Sequence, residues 1–393
     1  MGEVQSAAKE KGMPVIRRQV LNLGSEITSR EDIEAGIGEA MSGILESLTK
    51  PLSDHEKSPK FSTEPPPKIA FKGDYENINM FFFRKGWTDG LPVIPPTEKA
   101  VMEMLKGTDL SADHVVAKIP PMKGKATVEK IAINAVMAGA LPTHMPVIIA
   151  AVEALADRES GISAVESGTG SWGPFFIING PVRNQIHVNS GTGALSPGSL
   201  ANGAIGRTIG LIIQNIGGMR KGIEDMGTLG NPFKNALVIG ENEEESPWEP
   251  LHADHGFKKD ENSLTLFFPN SFTQNTAGGN DAEAIAESMS ELGSEGISCF
   301  LVNPEQAETL ASEGWSKEKL RNFLIKNSGQ SRDGNDTGRL NIVVAGGPGN
   351  WTGLVQGVGD IKNSFISKRI ILPGNWEKLV KKYGNMVPLH TKY

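Results

Sequence analysis

A single cysteine, Cys299, among 393 residues leaves no partner for an internal disulfide and no set of thiolates for a zinc site. A reducing cytoplasm is the natural compartment for such a chain. An excess of Lys and Arg is also missing: the formal net charge is −7, which argues against a nucleic-acid partner. No apolar run approaches the roughly 20 residues needed to cross a bilayer, so no membrane partner is expected. The opening MGEVQSAAKEKGMPVIRRQ has no apolar centre to serve as a secretion signal. Met1-Gly2 with Ser6 fits a myristoylation pattern only formally, because Glu3 sits poorly in it.

What is present describes a soluble globular protein, since 38% hydrophobic and 22% charged residues leave enough apolar surface to bury. A chain of 42.1 kDa exceeds one ordinary core and predicts several domains. Residues 1–68 read as an extension. They hold one strand over 13–23, a helix opened by Ser29 with Glu31 and Asp32 that runs to about Leu48, and a Pro-rich, charged linker from Pro51 to Lys68. Such an arm suits assembly, and an oligomer is expected.

Residues 69–260 read as a Gly-loop α/β domain. A helix around Tyr75 to Trp87 precedes DGLPVIPPT, whose prolines keep the backbone extended and hold Asp89 and Thr97 at the ends of a stiff loop. Helices from Thr127 to Ala138 and from Pro146 to Ala156 form a packed pair, with His144 in the connecting turn. Two Gly/Ser loops, Gly161 to Gly173 and Asn189 to Gly198, flank the strand PFFIINGP and are expected to face each other across a pocket. The second loop runs into an apolar helix, with Ser196 read as N-cap and Pro197 as its first residue. Ala204, Ile205, Ile209, Ile212, Ile213 and Ile216 then recur at helical spacing. A helix start behind Gly-rich backbone concentrates free N–H groups and positive dipole, a seat for a carboxylate or oxyanion. The plainer reading is a tight turn with Gly203, Gly206 and Gly210 allowing close packing.

Residues 261–393 read as a second α/β domain with a parallel, Rossmann-like sheet. LTLFF, ISCFLV and NIVVA alternate with helices, and the loops Pro269–Asn280 and Gly346–Gly353 fall at strand ends. Cys299 lies within an apolar strand, where a thiol is ordinarily inert packing. The run ENEEESPWEPLHADH suggests a metal through His252 and His255, but their spacing does not share a helical face, so a solvated acidic loop is the simpler reading and no metal is assigned.

In this order, DGLPVIPPT, TVEKIAINAVMAGA, NSGTGALSPGSLANGAIGR, GNPFK with EEESPWEPLH, NPEQAETLASEGWSKEKLRNFL and VVAGGPG resemble a bacterial family associated with a short UGSC-motif (seleno)protein. That protein is itself similar to the selenoprotein component of glycine and betaine reductases. The resemblance spans about Asp89 to Leu372 and implies redox chemistry. This chain has no UGSC or CGSC string, and Ala140 stands where relatives carry Cys after MAG. A reactive sulfur or selenium would therefore come from a separate (seleno)cysteine partner.

The expectation is an enzyme subunit, oxidoreductase or lyase, acting on a small carboxylate-bearing molecule. Asn189, Ser190, Gly191, Gly193, Gly198 and Asn202, with Arg207, would hold the anion. Asp89, His144 or His187 would move a proton. The rivals are a non-catalytic subunit docked through the extension, and a metal-dependent hydrolase or lyase resting on His252 and His255. The sequence names no cofactor.

Overall fold

The computed structural model describes residues 8, 15–21, 28–59, 68–292, 297–327, 340–356 and 365–387. The chain divides into two compact units, Met1–Ala70 and Phe71–Tyr393. In the first, Ser29 caps helix α1 (Arg30–Thr49) by accepting the Asp32 amide at 3.1 Å, as its sequence predicts. The strand expected over 13–23 is absent from the described residues 15–21. Arg17 there ties down the chain beyond α1 instead, donating to the Pro51 carbonyl at 2.7 Å and to Glu56 at 2.5 Å on the short helix α2 (Asp54–Lys57).

The second unit opens with α3 (Tyr75–Arg84), α4 (Glu98–Met104), an antiparallel hairpin of β1 (Val115–Ile119) and β2 (Gly124–Thr127), then α5 (Val128–Ala138), α6 (Met145–Leu155) and α7 (Ile162–Ser167). There follow β3 (Phe175–Asn179), α8 (Val182–Gln185), α9 (Leu200–Asn215), β4 (Leu237–Gly240), α10 (Leu251–Asp254), β5 (Ser263–Phe267) and β6 (Ser271–Thr276). The rest is α11 (Ala282–Glu291), β7 (Ile297–Val302), α12 (Pro304–Ser312), α13 (Lys317–Asn327), β8 (Asn341–Val344), β9 (Trp351–Gln356), β10 (Ile366–Arg369) and α14 (Trp376–Tyr383). Among the described residues no helix is long and apolar enough to cross a membrane.

Side-chain alternation explains how these elements stack. On β3, Phe176 and Ile178 join a core with α5, α6 and α9, while Phe175 and Ile177 turn the other way. On β7, Phe300 and Val302 join a core with α11, α12 and α13, while Cys299 and Leu301 meet Phe175, Ile177, Ile239 and Phe267 in a third core. The unit is thus four layers deep, helices on each outside and two sheets packed face to face within.

The chain is α/β, but its sheets are mixed. The first has the order β10-β5-β3-β4 and the second β6-β9-β7-β8. Each contains one parallel pair, β3 with β4 and β7 with β8, with the other neighbours antiparallel. The expected parallel C-terminal sheet and the boundary at 260 therefore give way to a different arrangement. β5 and β10, both beyond 260, complete the sheet of β3 and β4. β6 and β9 escape a sequence reading because they fall in the polar stretches around Pro269–Asn280 and Gly346–Gly353, and β6 has no fully buried side chain.

The two halves repeat one plan. β3, helix, β4, β5 matches β7, helices, β8, β9 in order and direction, and each half then sends its next strand, β6 or β10, to the edge of the other's sheet. Asn179 closes β3 and Asn303 follows β7 at the equivalent place, both buried.

Candidate functional site

The Asn189–Gly198 turn lies at the carboxyl ends of the first sheet, where ligands of open α/β sheets bind. Its helix begins later than expected: Ser199, not Ser196, caps α9 and accepts the Asn202 amide at 3.3 Å. The reason is Asn202. Its Nδ2 donates to the carbonyls of Asn189, Ala194 and Val238 at 3.1, 3.3 and 2.9 Å, and its Oδ1 accepts the Asn189 amide at 2.8 Å. One buried side chain thereby folds the turn onto β4. The Gly191 amide goes to Asn189 Oδ1 at 3.0 Å, the Ala194 amide to the Gly191 carbonyl and the Ser196 amide to the Gly193 carbonyl. Gly193 and Gly198 have φ of 70° and 133°, which a turn of this shape requires of glycine. Ser190 offers its carbonyl to Gly346 at 2.9 Å, so this turn meets the GGPG loop of the other half. Of the amides expected to form an open cradle across Asn189 to Gly198, those of Asn189, Gly191, Ala194 and Ser196 are thus spent on the protein itself.

Arg207 and Asp89 come together, but not at that turn. The guanidinium grips Asp89 through both oxygens at 2.8 and 2.9 Å and donates to the Pro92 carbonyl at 2.8 Å, pinning the proline-rich loop to the middle of α9. Burial alone would push the Asp89 carboxyl up, yet the bonds and charge of Arg207 outweigh it and hold the group below the ordinary carboxylate range. An anion-holding Arg207 and a proton-moving Asp89 are therefore replaced by a bidentate ion pair. The two Gly/Ser loops cannot face each other either, because one precedes β3 and the other follows it, at opposite ends of the strand.

His144 and His187 are brought together. Both line a cavity of about 10 Å³, with Thr143, Tyr383 and the first-turn residues Leu200 and Ala201 of α9. That volume holds about one water, or one ligand oxygen. His144 is 1% exposed, and burial depresses its pKa to about 3. Its Nδ1 accepts the Leu141 amide at 3.2 Å, so the neutral ring carries its proton on Nε2. His187, held at φ 58°, has Nε2 2.7 Å from the Gly384 carbonyl; donation there leaves Nδ1 with the lone pair. Leu200 and Ala201 stand at the positive end of a 16-residue helix whose first amides have no acceptor within it.

α14 closes this cavity from the far end of the chain. Trp376 Nε1 donates to Gln185 at 2.9 Å, and Tyr383 donates its hydroxyl to Glu103 at 2.9 Å. Thr143, Gln185 and Tyr383 were not foreseeable, since no local pattern links positions some 200 residues apart.

The acidic run after β4 is only partly solvated. Glu241 is fully buried, accepting from Asn179 Nδ2 at 2.6 Å and the Leu251 amide at 2.7 Å, and burial pushes its pKa up. Arg183, 1% exposed, donates to the Glu241 carbonyl at 2.6 Å and pairs with Glu243 and Glu244 at 3.1 Å each. This network fastens the carboxyl ends of the strands together. His252 and His255 diverge, one to the Lys258 carbonyl at 3.0 Å and one to the Ser367 hydroxyl at 3.0 Å. Among the described residues no group of three or more His, Cys, Asp or Glu is placed to hold a metal. Cys299 is wholly buried between the sheets, and burial pushes its thiol up, so it presents no nucleophile. No known protein-family model matches the sequence, and neither the curated proteins nor the solved structures compared with the chain yield a match.

Proposed function

We propose that the chain is a cytoplasmic enzyme subunit acting on a small carboxylate-bearing molecule at the cavity between His144, His187 and the first turn of α9. The observation that carries this reading is that two imidazoles and a helix N-terminus line one space of single-oxygen size. A substrate oxygen seated there would meet the amides of Leu200 and Ala201 and the Nε2–H of His144. Preorganised donors of this kind stabilise charge as it develops. A neutral imidazole serves as such a donor because its low pKa keeps it from ionising. His187 Nδ1 would take the proton released.

Tyr383 of α14 and Met386 beyond it line the same cavity, so this end of the chain bounds the site. If the chemistry is redox or lyase chemistry needing a thiol or selenol, a separate (seleno)cysteine subunit supplies it, because Cys299 is sealed in the core. The small volume favours one second reading, a non-catalytic subunit in which the cavity keeps a structural water.

Thermal unfolding of the full chain with formate, acetate and glycolate separates the two. The enzyme reading expects stabilisation that saturates with concentration and is lost in His144→Gln. Equal responses of the two proteins, or none in either, would overturn it and leave the structural reading.

A further inference from the structure

Helix α1 leaves its large side chains uncovered. Ile33, Ile37, Met41, Leu45 and Leu48 are between 38 and 78% exposed, although each lies three or four positions from the next and so on one face of the helix. Ile44, half-buried, fills the row between Met41 and Leu48. Among the described residues of the first unit the only buried hydrophobic side chains are Ala8 and Ala40. The small residues of α1 are the ones its own chain covers. A Cβ at Gly43 would strike the Gln19 side chain, and Arg17 donates to the Ser47 carbonyl at 3.3 Å, so segment 15–21 runs along the edge formed by Gly43 and Ser47. Small residues inside and large ones outside is the reverse of a finished core.

Charge is one guide to what covers the open face. Asp32, Glu39 and Glu46 recur every seven residues on the side of α1 turned away from it, and on its border Arg30 and Glu34 neutralise each other at 2.8 Å. The row itself carries no charge that would select a basic or an acidic partner. It matches another uncharged row like itself.

Area is a second guide. Two copies of the five exposed side chains supply roughly 1,000 Å² of apolar surface, which with a polar rim reaches the size of a stable interface, about 1,200–2,000 Å². Spacing is a third. The step from 37 to 41 equals that from 44 to 48, so two copies of α1 laid antiparallel put Ile37 of each against Leu48 of the other, and Met41 against Ile44. That direction also sets the positive start of each helix beside the negative end of the other.

We propose that α1 is a dimerisation helix whose row from Ile33 to Leu48 packs antiparallel, about a two-fold axis, against the same row of a second copy of this chain. The pairing concerns assembly alone and stands or falls independently of the His144 cavity.

The test is sedimentation equilibrium of the full chain over a range of concentrations, where a dimer is expected. Ile37→Asp places a charge in the contact from both copies and should raise the dissociation constant at least about a hundredfold. Glu39→Gln, on the opposite face, should leave it unchanged. Both positions are exposed in the single chain, and the tryptophans, all in the second unit, report that each variant is folded. Cross-linking reads the direction. Cys299 is buried, so Ile37→Cys and Leu48→Cys each add one accessible thiol, and the two variants, mixed and allowed to exchange, should oxidise to the mixed disulfide. A monomeric chain, meaning that its own second unit or another protein covers the row, would overturn the proposal; so would a dimer that survives Ile37→Asp, or disulfides that join like to like.

Discussion

Replacing Glu166 with Gln should remove its share of the sensitivity of the second unit to rising pH, leaving that of Glu241, whose carboxyl is also raised by burial. Burial is the main cause lifting this carboxyl from 4.5 to about 8, with Lys234 pulling it part of the way back. In the unfolded chain the group loses its proton near 4.5, whereas in the fold it keeps it to about 8. Between these values the folded state binds the extra proton, so stability falls as pH rises through that window and levels off above it. At about 1.4 kcal/mol for each pH unit, the loss approaches roughly 5 kcal/mol, an upper figure that water entry and local opening would reduce. Gln cannot ionise, keeps the shape and should flatten the curve. Urea unfolding between about pH 5 and 9, followed by tryptophan fluorescence, measures this. All six tryptophans lie between Trp87 and Trp376, so the signal reports the second unit alone. Parallel stability curves for the two proteins would refute the reasoning.

On the acid side the sign reverses for His144. Its folded pKa is depressed to about 3 from 6.5, so the stability it contributes is present above 6.5 and drains away as pH falls toward 3. Wild type should lose about 2 kcal/mol between pH 6.5 and 5 that His144→Gln does not lose, visible in the same unfolding series. Asn202→Ala should cost about 2–3 kcal/mol, because the Ala194 and Val238 carbonyls and the Asn189 amide each lose a bond at once, while the Asn189 carbonyl keeps the Gly240 amide. Proteolysis within residues 189–198 should accelerate alongside; an unchanged cleavage rate would mean the turn is held by something else.

Elements written in local pattern were legible in the sequence. Ser29 with Asp32 set the start of α1, and short apolar runs marked β3, β5, β7 and β8. The pairing of α5 with α6 followed from their stripes, and His144 was singled out from its place in the turn between them. What escaped was decided by partners distant in sequence. Nothing about Asn202 announces that one amide would gather three carbonyls and shift the helix start to Ser199. Asp89 was singled out to move a proton and Arg207 to hold an anion, yet across 118 positions they bond each other. Glu166 gave no local signal, because a carboxyl in a Gly/Ser-rich stretch reads as solvated until another loop covers it. Gly203 has nothing within 4 Å, whereas a Cβ at Gly206 would strike the Ala236 carbonyl, a distinction that spacing alone cannot make.

The traded edge strands bear on how the polypeptide reaches this state. β10 joins β5 across about a hundred positions, with Thr265 and Ser367 bonded at 2.8 Å, so the earlier-made sheet must wait for almost the whole chain before its last row of amides is covered. Until then it presents an open rim, the sort of surface that recruits a neighbouring molecule's strand. With synthesis running from the amino end, slow closure and a tendency for two nascent copies to lend each other a strand follow from that one reciprocal loan.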